Sequence, residues 1–524
     1  MTGKRLLQGR AARAALLRGV DLMTGAIIPT LGPLPGTVAI TRLVGSGPPE
    51  LLDSGATIAR RTIQIADPFE NVGAMLVRHL VIRQFERVGD GTATAAVIAR
   101  SVLRAGFQYE AGGGDMVGVR HGVEDALPVA LATLRGLARP IDGPPAIGRL
   151  VQATLRDPSL ADMVGEIVDS VGADGAILVE AGRSTGTTYQ YVDGVRWDEG
   201  CLSPSFLQDG STARLSEPRV FTTDHTIERA EQLVPLLEAC ALAGGGDLLI
   251  VAPEVRDPAI ALLLLNQGKG QFGRMVAVRA PSLGAQRTSI LEDLALLTGG
   301  RCVRLEAGER LEDVTVEHLG RAHQAWTTRG AFGIMGGHGG KDAIRRRMSE
   351  VRQAVSQAGD DRHLRTALQG RLARLAGTGA VVRVGAPTEA AQAELQLRVE
   401  AAVTTARLAL ADGALPGGGA ALVAAAAAVA EAAPAGDAGV GARLLARALT
   451  QPTRIMVAHA GYPPDAIITA ARQRGPGSAF DLVRGRWVDA WECGLLDPCA
   501  VVLAAVEAGV SAAATALTTE VVIR

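Results

Sequence analysis

Eight residues, Val88-Gly89-Asp90-Gly91-Thr92-Ala93-Thr94-Ala95, constrain this chain more than any other stretch. Two glycines flank one acid, two hydroxyls follow, and an apolar helical pattern starts at once at Ala95, Val97, Ile98, Val102 and Leu103. Two readings fit. Asp, Gly and Thr are ordinary helix-capping residues, so the segment reads as the start of a helix. It also reads as a phosphate cradle: glycines let backbone N–H groups approach phosphate oxygens, and a helix start adds a positive dipole end. Thr92 and Thr94 would donate to phosphate, and Asp90 would hold Mg²⁺ through one carboxylate. By themselves the eight residues favour the capping reading, because short motifs recur by chance.

The rest of the chain sets the context. A length of 524 residues exceeds a single core and predicts about three domains. A 48% hydrophobic and 20% charged composition is that of a soluble globular protein. The net charge of −1 and 3% aromatic content leave no electrostatic footprint or stacking platform for nucleic acid. Only Lys4, Lys269 and Lys341 are lysines, so arginine carries nearly all the positive charge. Cys201, Cys240, Cys302, Cys493 and Cys499 form no CxxC pair, which argues for buried thiols in a reducing cytoplasm.

The basic N-terminus resembles a transit peptide in charge, but Leu6, Leu7, Ala12, Ala15, Leu16, Leu17 and Val20 form a stripe that reads as the first helix of the fold. No membrane span is expected, because the apolar run Ala420–Ala430 stops at Glu431, short of the ~20 residues a span needs.

Periodicity predicts helices over 8–30, 57–86, 93–107 and 116–136, with a rigid turn at Leu31–Gly36 and a strand over Thr37–Leu43. A helix over Leu150–Val171 should lead into a strand at Ala176–Glu180. Alternation follows: helix Ile227–Ala243, strand Asp247–Ala252, helix Pro258–Gln267, strand Met275–Arg279, helix Ser289–Leu297 and strand Cys302–Leu305. Such alternation predicts a sheet covered by helices. Helical sequence returns over 342–376 and from 388 to the end.

Gly336-Gly337-His338-Gly339-Gly340-Lys341 imitates a P-loop but has Met335 and Asp342 where that motif needs Gly and Ser or Thr. It reads as a surface loop. The helices at 227–243 and 258–267 are apolar over wider arcs than the single stripe that packing on a sheet requires. Either they are fully buried, or they expose apolar surface for other chains.

Eleven stretches, in order, resemble the group I chaperonins of the GroEL type. They are ARAALLRGV near the start, TLGP at 30–33, DPFENVGAMLV at 67–77, VGDGTATAAVIA at 88–99, DGAILVEAG at 174–182, GCLSPSF at 200–206, LVPLLEACALAG at 233–244, EDLALLTGG at 292–300, LAGTGAVVRVGAPTE at 375–389, LPGGGAAL at 415–422 and CGLLDP at 493–498. The resemblance implies a multidomain α+β chaperonin fold in three parts. A mostly helical equatorial ATP-binding domain would take 1–136 and 412–524, a hinge domain 137–193 and 380–411, and an α/β apical domain 194–379.

It further implies a homo-oligomeric seven-membered ring or double ring, with ATP and Mg²⁺ as cofactors and non-native polypeptides and a co-chaperonin lid as partners. Nucleotide contacts would fall on Thr30, Leu31, Gly32, Pro33, Gly89, Asp90, Gly91, Thr92, Ala93, Thr94, Gly418, Asp481, Leu495 and Asp497, with Asp90 as the metal ligand. Asp497 would lie at the ribose and Gly418 near the base. Polypeptide contacts would fall on Leu202, Phe206, Val234, Leu237, Ile260, Leu264 and Leu265.

Four departures stand out. Where the family places an aspartate before Gly-x-Ser/Thr-x-Ala-Arg, this chain has Ser54; Asp53, one residue earlier, occupies a lysine position. The aspartate that normally follows Arg-Val-Glu, and orients the attacking water, is Ala401 after Arg398-Val399-Glu400. Glu400 lies about 100° away around a helix. The family's Lys-Gly-Arg is Leu34-Pro35-Gly36, and its Gly-Met-rich tail is not seen before Arg524. Losing a general base commonly removes a factor of ~10²–10⁴ in rate. The expectation is a chaperonin that binds Mg-ATP through Asp90 and hydrolyses it slowly or not at all. The alternative is a hydrolysis-deficient paralogue that holds proteins or serves as a scaffold, alone or co-assembled with an intact chaperonin.

Overall fold

The computed structural model describes residues 6–41, 49–172, 177–207, 211–281, 285–357 and 362–523. Residues 42–43 of the expected Thr37–Leu43 strand, Ala176 of the Ala176–Glu180 strand and residues 358–361 of the helical 342–376 region lie outside these. Contacts group the chain into two compact units, Met1–Asp169 with Leu397–Arg524, and Ser170–Gln396.

The first unit is helical. Gly9–Ile27, Glu70–Val88, Thr92–Ala111, Met116–Leu137, Gly436–Leu449 and Cys499–Leu517 pack around Val20, Met23, Ile98, Leu103, Leu134, Leu445 and Val506. Each such side chain contributes roughly 1.5–3 kcal/mol over leaving it in water. The first two helices touch backbone to backbone where both carry glycine. A Cβ on Gly73 would stand 2.0 Å from the Leu16 carbonyl oxygen, and one on Gly19 would stand 1.7 Å from that of Glu70.

The expected helix over 57–86 is two helices, Gly55–Arg61 and Glu70–Val88. Asp67-Pro68 separates them, and the Asp67 carboxylate accepts from the N–H groups of Phe69 and Glu70. The expected helix over 150–171 is likewise two, Pro144–Leu155 and Pro158–Val171. A proline forces the residue before it out of helical geometry, and Arg156 turns the chain with φ of 57°. Leu6 and Leu7 belong to a strand, Leu6–Gln8, which pairs antiparallel with Val521–Ile523. Val38–Ile40 pairs in the same way with Glu50–Leu52. Cys499–Leu517 is long and apolar enough to cross a bilayer. It is a core helix packed on Thr92–Ala111, and its composition reflects that burial.

The second unit is built on a nine-stranded mixed sheet. Its order runs Ile177–Ala181, Thr378–Val384, Thr188–Trp197, Phe332–Gly337, Gly320–Thr327, Arg219–Thr222, Gly246–Ala252 and Phe272–Arg279, with Ala213–Ser216 also paired to Gly320–Thr327. The Gly320–Thr327/Phe332–Gly337 hairpin was not expected, and it absorbs Gly336 and Gly337 of the false P-loop. Lys341 opens the helix Lys341–Gln357, so only residues 338–340 form the loop. The expected strand at 302–305 reduces to one bridge, Thr223 to Val303.

Candidate nucleotide site

The Val88–Ala95 stretch is cap and cradle at once. Gly89 closes the Glu70–Val88 helix with φ of 75°, and Gly91 opens Thr92–Ala111 with φ of 76°. Both values lie in the left-handed region, where a side chain is strained. Space is equally restrictive: a Cβ on Gly91 would stand 2.9 Å from Val501 Cγ1 and 3.0 Å from Gln84 Nε2. Gln84 Nε2 donates to the Asp90 carbonyl at 3.1 Å and that of Val501 at 3.4 Å, tying the turn to the last long helix. Asp90 Oδ1 accepts from Gly91 N at 2.6 Å, and Thr154 Oγ1 lies 3.5 Å from Oδ2.

Several distant segments converge here. A Cβ on Gly55 would lie 2.9 Å from Thr92 Oγ1 and 3.4 Å from Thr30 Oγ1, so Thr30, Thr92 and the start of Gly55–Arg61 meet. Ser54 is the N-cap of that short helix, accepting from Thr57 N at 3.5 Å. Ala401, on the helix Glu389–Asp412, is buried against Gly89. Asp53 is held in an ion pair with Arg156. Asp497 lies in Leu496–Pro498, paired with Ala414–Pro416 just ahead of Gly417-Gly418. Gly417 N donates to the Leu495 carbonyl at 2.8 Å, and the nearest neighbours of a Cβ on Gly418 would be the Phe480 carbonyl and Leu495.

Asp481 is occupied otherwise. Its carboxylate accepts from Val483 N and Arg484 N and pairs with the Arg484 side chain, closing the turn of the Ser478–Asp481/Arg486–Asp489 hairpin. The group that faces Gly418 is the Phe480 carbonyl. Leu31–Pro33 follow the short Ile28–Thr30 turn, with Gly32 set against Met456. Ala93 is buried beneath the cradle, and Thr94 is partly exposed in the first turn of the helix.

The electrostatics point to a cation. Desolvation by the surrounding protein atoms raises the Asp90 carboxyl above the ordinary range, and the residue as a whole is exposed. Burial, and then the charge of Asp90, push Asp497 up to about 7. A carboxylate held protonated partly by a neighbouring carboxylate is what a divalent ion would relieve. Among the described residues no group of three or more His, Cys, Asp or Glu is placed to hold a metal unaided. Asp90 with nucleotide oxygens fits Mg²⁺, which usually takes one or two carboxylates and substrate phosphates.

Gln84, Thr154 and Arg156 escaped the sequence reading. The Arg156-Asp157-Pro158 break was the available signal for the last two.

In the second unit, polypeptide-site candidates divide by exposure. Phe206, Leu237 and Ile260 are buried and belong to the core, which corrects their assignment as surface contacts. Leu202 and Leu264 are half-buried, while Val234 and Leu265 are exposed. Leu242, not anticipated, is 82% exposed. The helical segment expected over 227–243 is a turn, Ala230–Leu233, followed by Val234–Leu242. That turn packs against Asp257–Asn266. Each helix turns one apolar face inward and leaves a second apolar face in water.

The fold is that of a multidomain chaperonin. The sequence pattern of the TCP-1/cpn60 chaperonin family matches residues 242–524, more than half of the chain, and the chain belongs to that family. Among solved structures it is similar to the chaperonin gp146 from the bacteriophage EL 2 (Pseudomonas aeruginosa), crystallised in the presence of ATP-BeFx. Crystal form II superposes with a TM-score of 0.74 at 19% identity, covering 99% of this chain and 98% of that one. Crystal form I gives 0.64 at 18% identity, covering 99% of both.

Proposed function

We propose that this chain is a subunit of a group I-type chaperonin ring that binds Mg-ATP, captures non-native polypeptides and aids their folding, with a compromised hydrolytic step. The carrying observation is the contact of Ala401 with Gly89: a Cβ there would stand 2.9 Å from the Ala401 carbonyl oxygen. Position 401 therefore borders the cradle, and it carries a methyl group. Ser54, the other expected aspartate position, caps a helix that meets Thr92.

Gly89–Thr94 would cradle phosphates, Asp90 would hold Mg²⁺, and Asp497 and the Gly417–Gly418 turn would take the nucleoside. The bound Mg²⁺ would neutralise phosphate charge; positioning would fall to the glycines and threonines. Val234, Leu242, Leu264 and Leu265 would hold polypeptide. In this reading the boundaries of the two units, at 169/170 and 396/397, fall inside the hinge segments 137–193 and 380–411. The two terminal and hairpin ribbons leave Leu6, Leu51 and Ile523 exposed on short strands, surfaces suited to strand addition by a neighbour. A seven-membered ring or double ring, a co-chaperonin lid and a cytoplasmic setting belong to the same reading, and the five unpaired cysteines accord with the last.

The missing carboxylates at 54 and 401 also favour a second reading, a holding or scaffold paralogue that does not cycle. Steady-state ATP turnover of the wild type beside Ser54→Asp/Ala401→Asp tests the hydrolytic loss that both readings share. A nearly silent wild type and a double variant faster by ~10²–10⁴ support a lost hydrolytic step, whereas ordinary wild-type turnover would refute it. Suppression of aggregation of an unfolded client by the silent wild type would favour the holding role.

A further inference from the structure

Away from the nucleotide cradle, the first unit carries a concentration of arginine that the proposed function does not use. Gly436–Leu449, Gln451–His459 and Pro464–Arg474 border, with Ala430, an open cavity of about 310 Å³ at the surface. Arg443 and Arg447, one turn apart on the first of these helices, line it together with Arg454 and Arg472. The one carboxylate in the lining, Asp465, is taken by Arg454. Among the described residues, no carboxylate lies within ion-pair distance of Arg443, Arg447 or Arg472. Ala446 and Ile468 form apolar wall, and Thr450 and Thr469 contribute hydroxyls.

A chain with net charge −1 has here gathered four guanidinium groups against one acid. Like charges at i, i+4 weakly oppose helix formation, and Arg443 and Arg447 are exposed, so an anion held between them would relieve that repulsion. Guanidinium forks match phosphate oxygens two at a time. The cavity is concave and at the small end of ligand pockets, which run roughly 300–1,000 Å³. It suits a compact polyanion and is too small for a helix.

We propose that this pocket is a second anion site, separate from the nucleotide cradle, that binds a small ligand bearing several phosphate groups through Arg443, Arg447, Arg454 and Arg472.

The test is calorimetric titration of the full-length protein with tripolyphosphate, without added Mg²⁺, for the wild type, Arg447→Gln/Arg472→Gln, Arg443→Gln/Arg447→Gln and the cradle variant Gly89→Ala. Circular dichroism of each variant checks that it is folded. The expected result is saturable, salt-sensitive binding that weakens by about tenfold or more in each arginine pair, the scale of a lost charge-assisted contact, and persists in Gly89→Ala. Binding that is lost in Gly89→Ala and kept in both arginine pairs would assign the anion to the cradle and overturn the proposal. So would no saturable binding to the wild type, or arginine variants that change only the oligomeric state.

Discussion

Gly89 lies directly on Ala401: a Cβ at Gly89 would stand 2.9 Å from the Ala401 carbonyl oxygen and 3.3 Å from its Cα. The turn of the cradle and the Glu389–Asp412 helix are thus in backbone contact, with no room for a side chain between them. Gly89→Ala must meet this contact and a φ of 75° together. The expected cost is ~1–3 kcal/mol, seen as a lower thermal midpoint, with weaker binding of a fluorescent ATP analogue. Unchanged stability would show that the turn relaxes freely.

Asp497 makes stability depend on pH. Its folded-state pKa is raised from 3.8 to about 7, by burial and then by Asp90. The folded protein therefore keeps a proton that the unfolded chain has lost, and stability falls as pH rises through that window. In metal-free, nucleotide-free protein the thermal midpoint should drop between pH 5 and pH 7.5. Asp497→Asn should flatten that slope.

The two apolar helices of the second unit should separate by face. Leu263 is fully buried, and Leu263→Ala should cost about 2–5 kcal/mol. Leu242→Ser, at an exposed position, should change stability by no more than ~0.5 kcal/mol while reducing the capture of an unfolded client. Denaturant melts beside an aggregation-suppression assay measure both. Equal capture by Leu242→Ser would remove this face from the binding surface.

Asp293 is a buried charge with two partners. Arg347 Nε donates to it at 2.7 Å, and Arg371 donates through Nε at 2.8 Å and Nη2 at 3.0 Å. It joins the helices Ala285–Thr298, Lys341–Gln357 and Arg362–Leu375. Removing one member of such a cluster leaves the others uncompensated, so Asp293→Ala should destabilise by about 3–5 kcal/mol. Measured by denaturant unfolding, a loss under ~1 kcal/mol would mean the cluster is no stronger than a surface pair.

Most helices were legible because a buried stripe at period 3.6 leaves its mark on sequence, as in Ala12, Leu16, Val20 and Met23. Breaks were harder: Asp67-Pro68 and Asp157-Pro158 interrupt stripes that continue on either side. The Gly320–Thr327/Phe332–Gly337 hairpin escaped because its buried strand, Phe-Gly-Ile-Met-Gly-Gly, reads as a glycine-rich loop.

What the sequence by itself determined is local: a glycine turn opening a helix, the acid within it, and alanine and serine where carboxylates were expected. These follow from backbone freedom and residue chemistry over a few neighbouring positions. Tertiary structure alone decided which distant segments share the cradle. It set Ala401 on Gly89, Asp497 within electrostatic reach of Asp90, and Arg156 on Asp53. It also decided which apolar side chains remain in water, turning Leu242 outward and Phe206, Leu237 and Ile260 inward. Burial and mutual charge depend on long-range packing, and no pattern along the chain encodes them position by position.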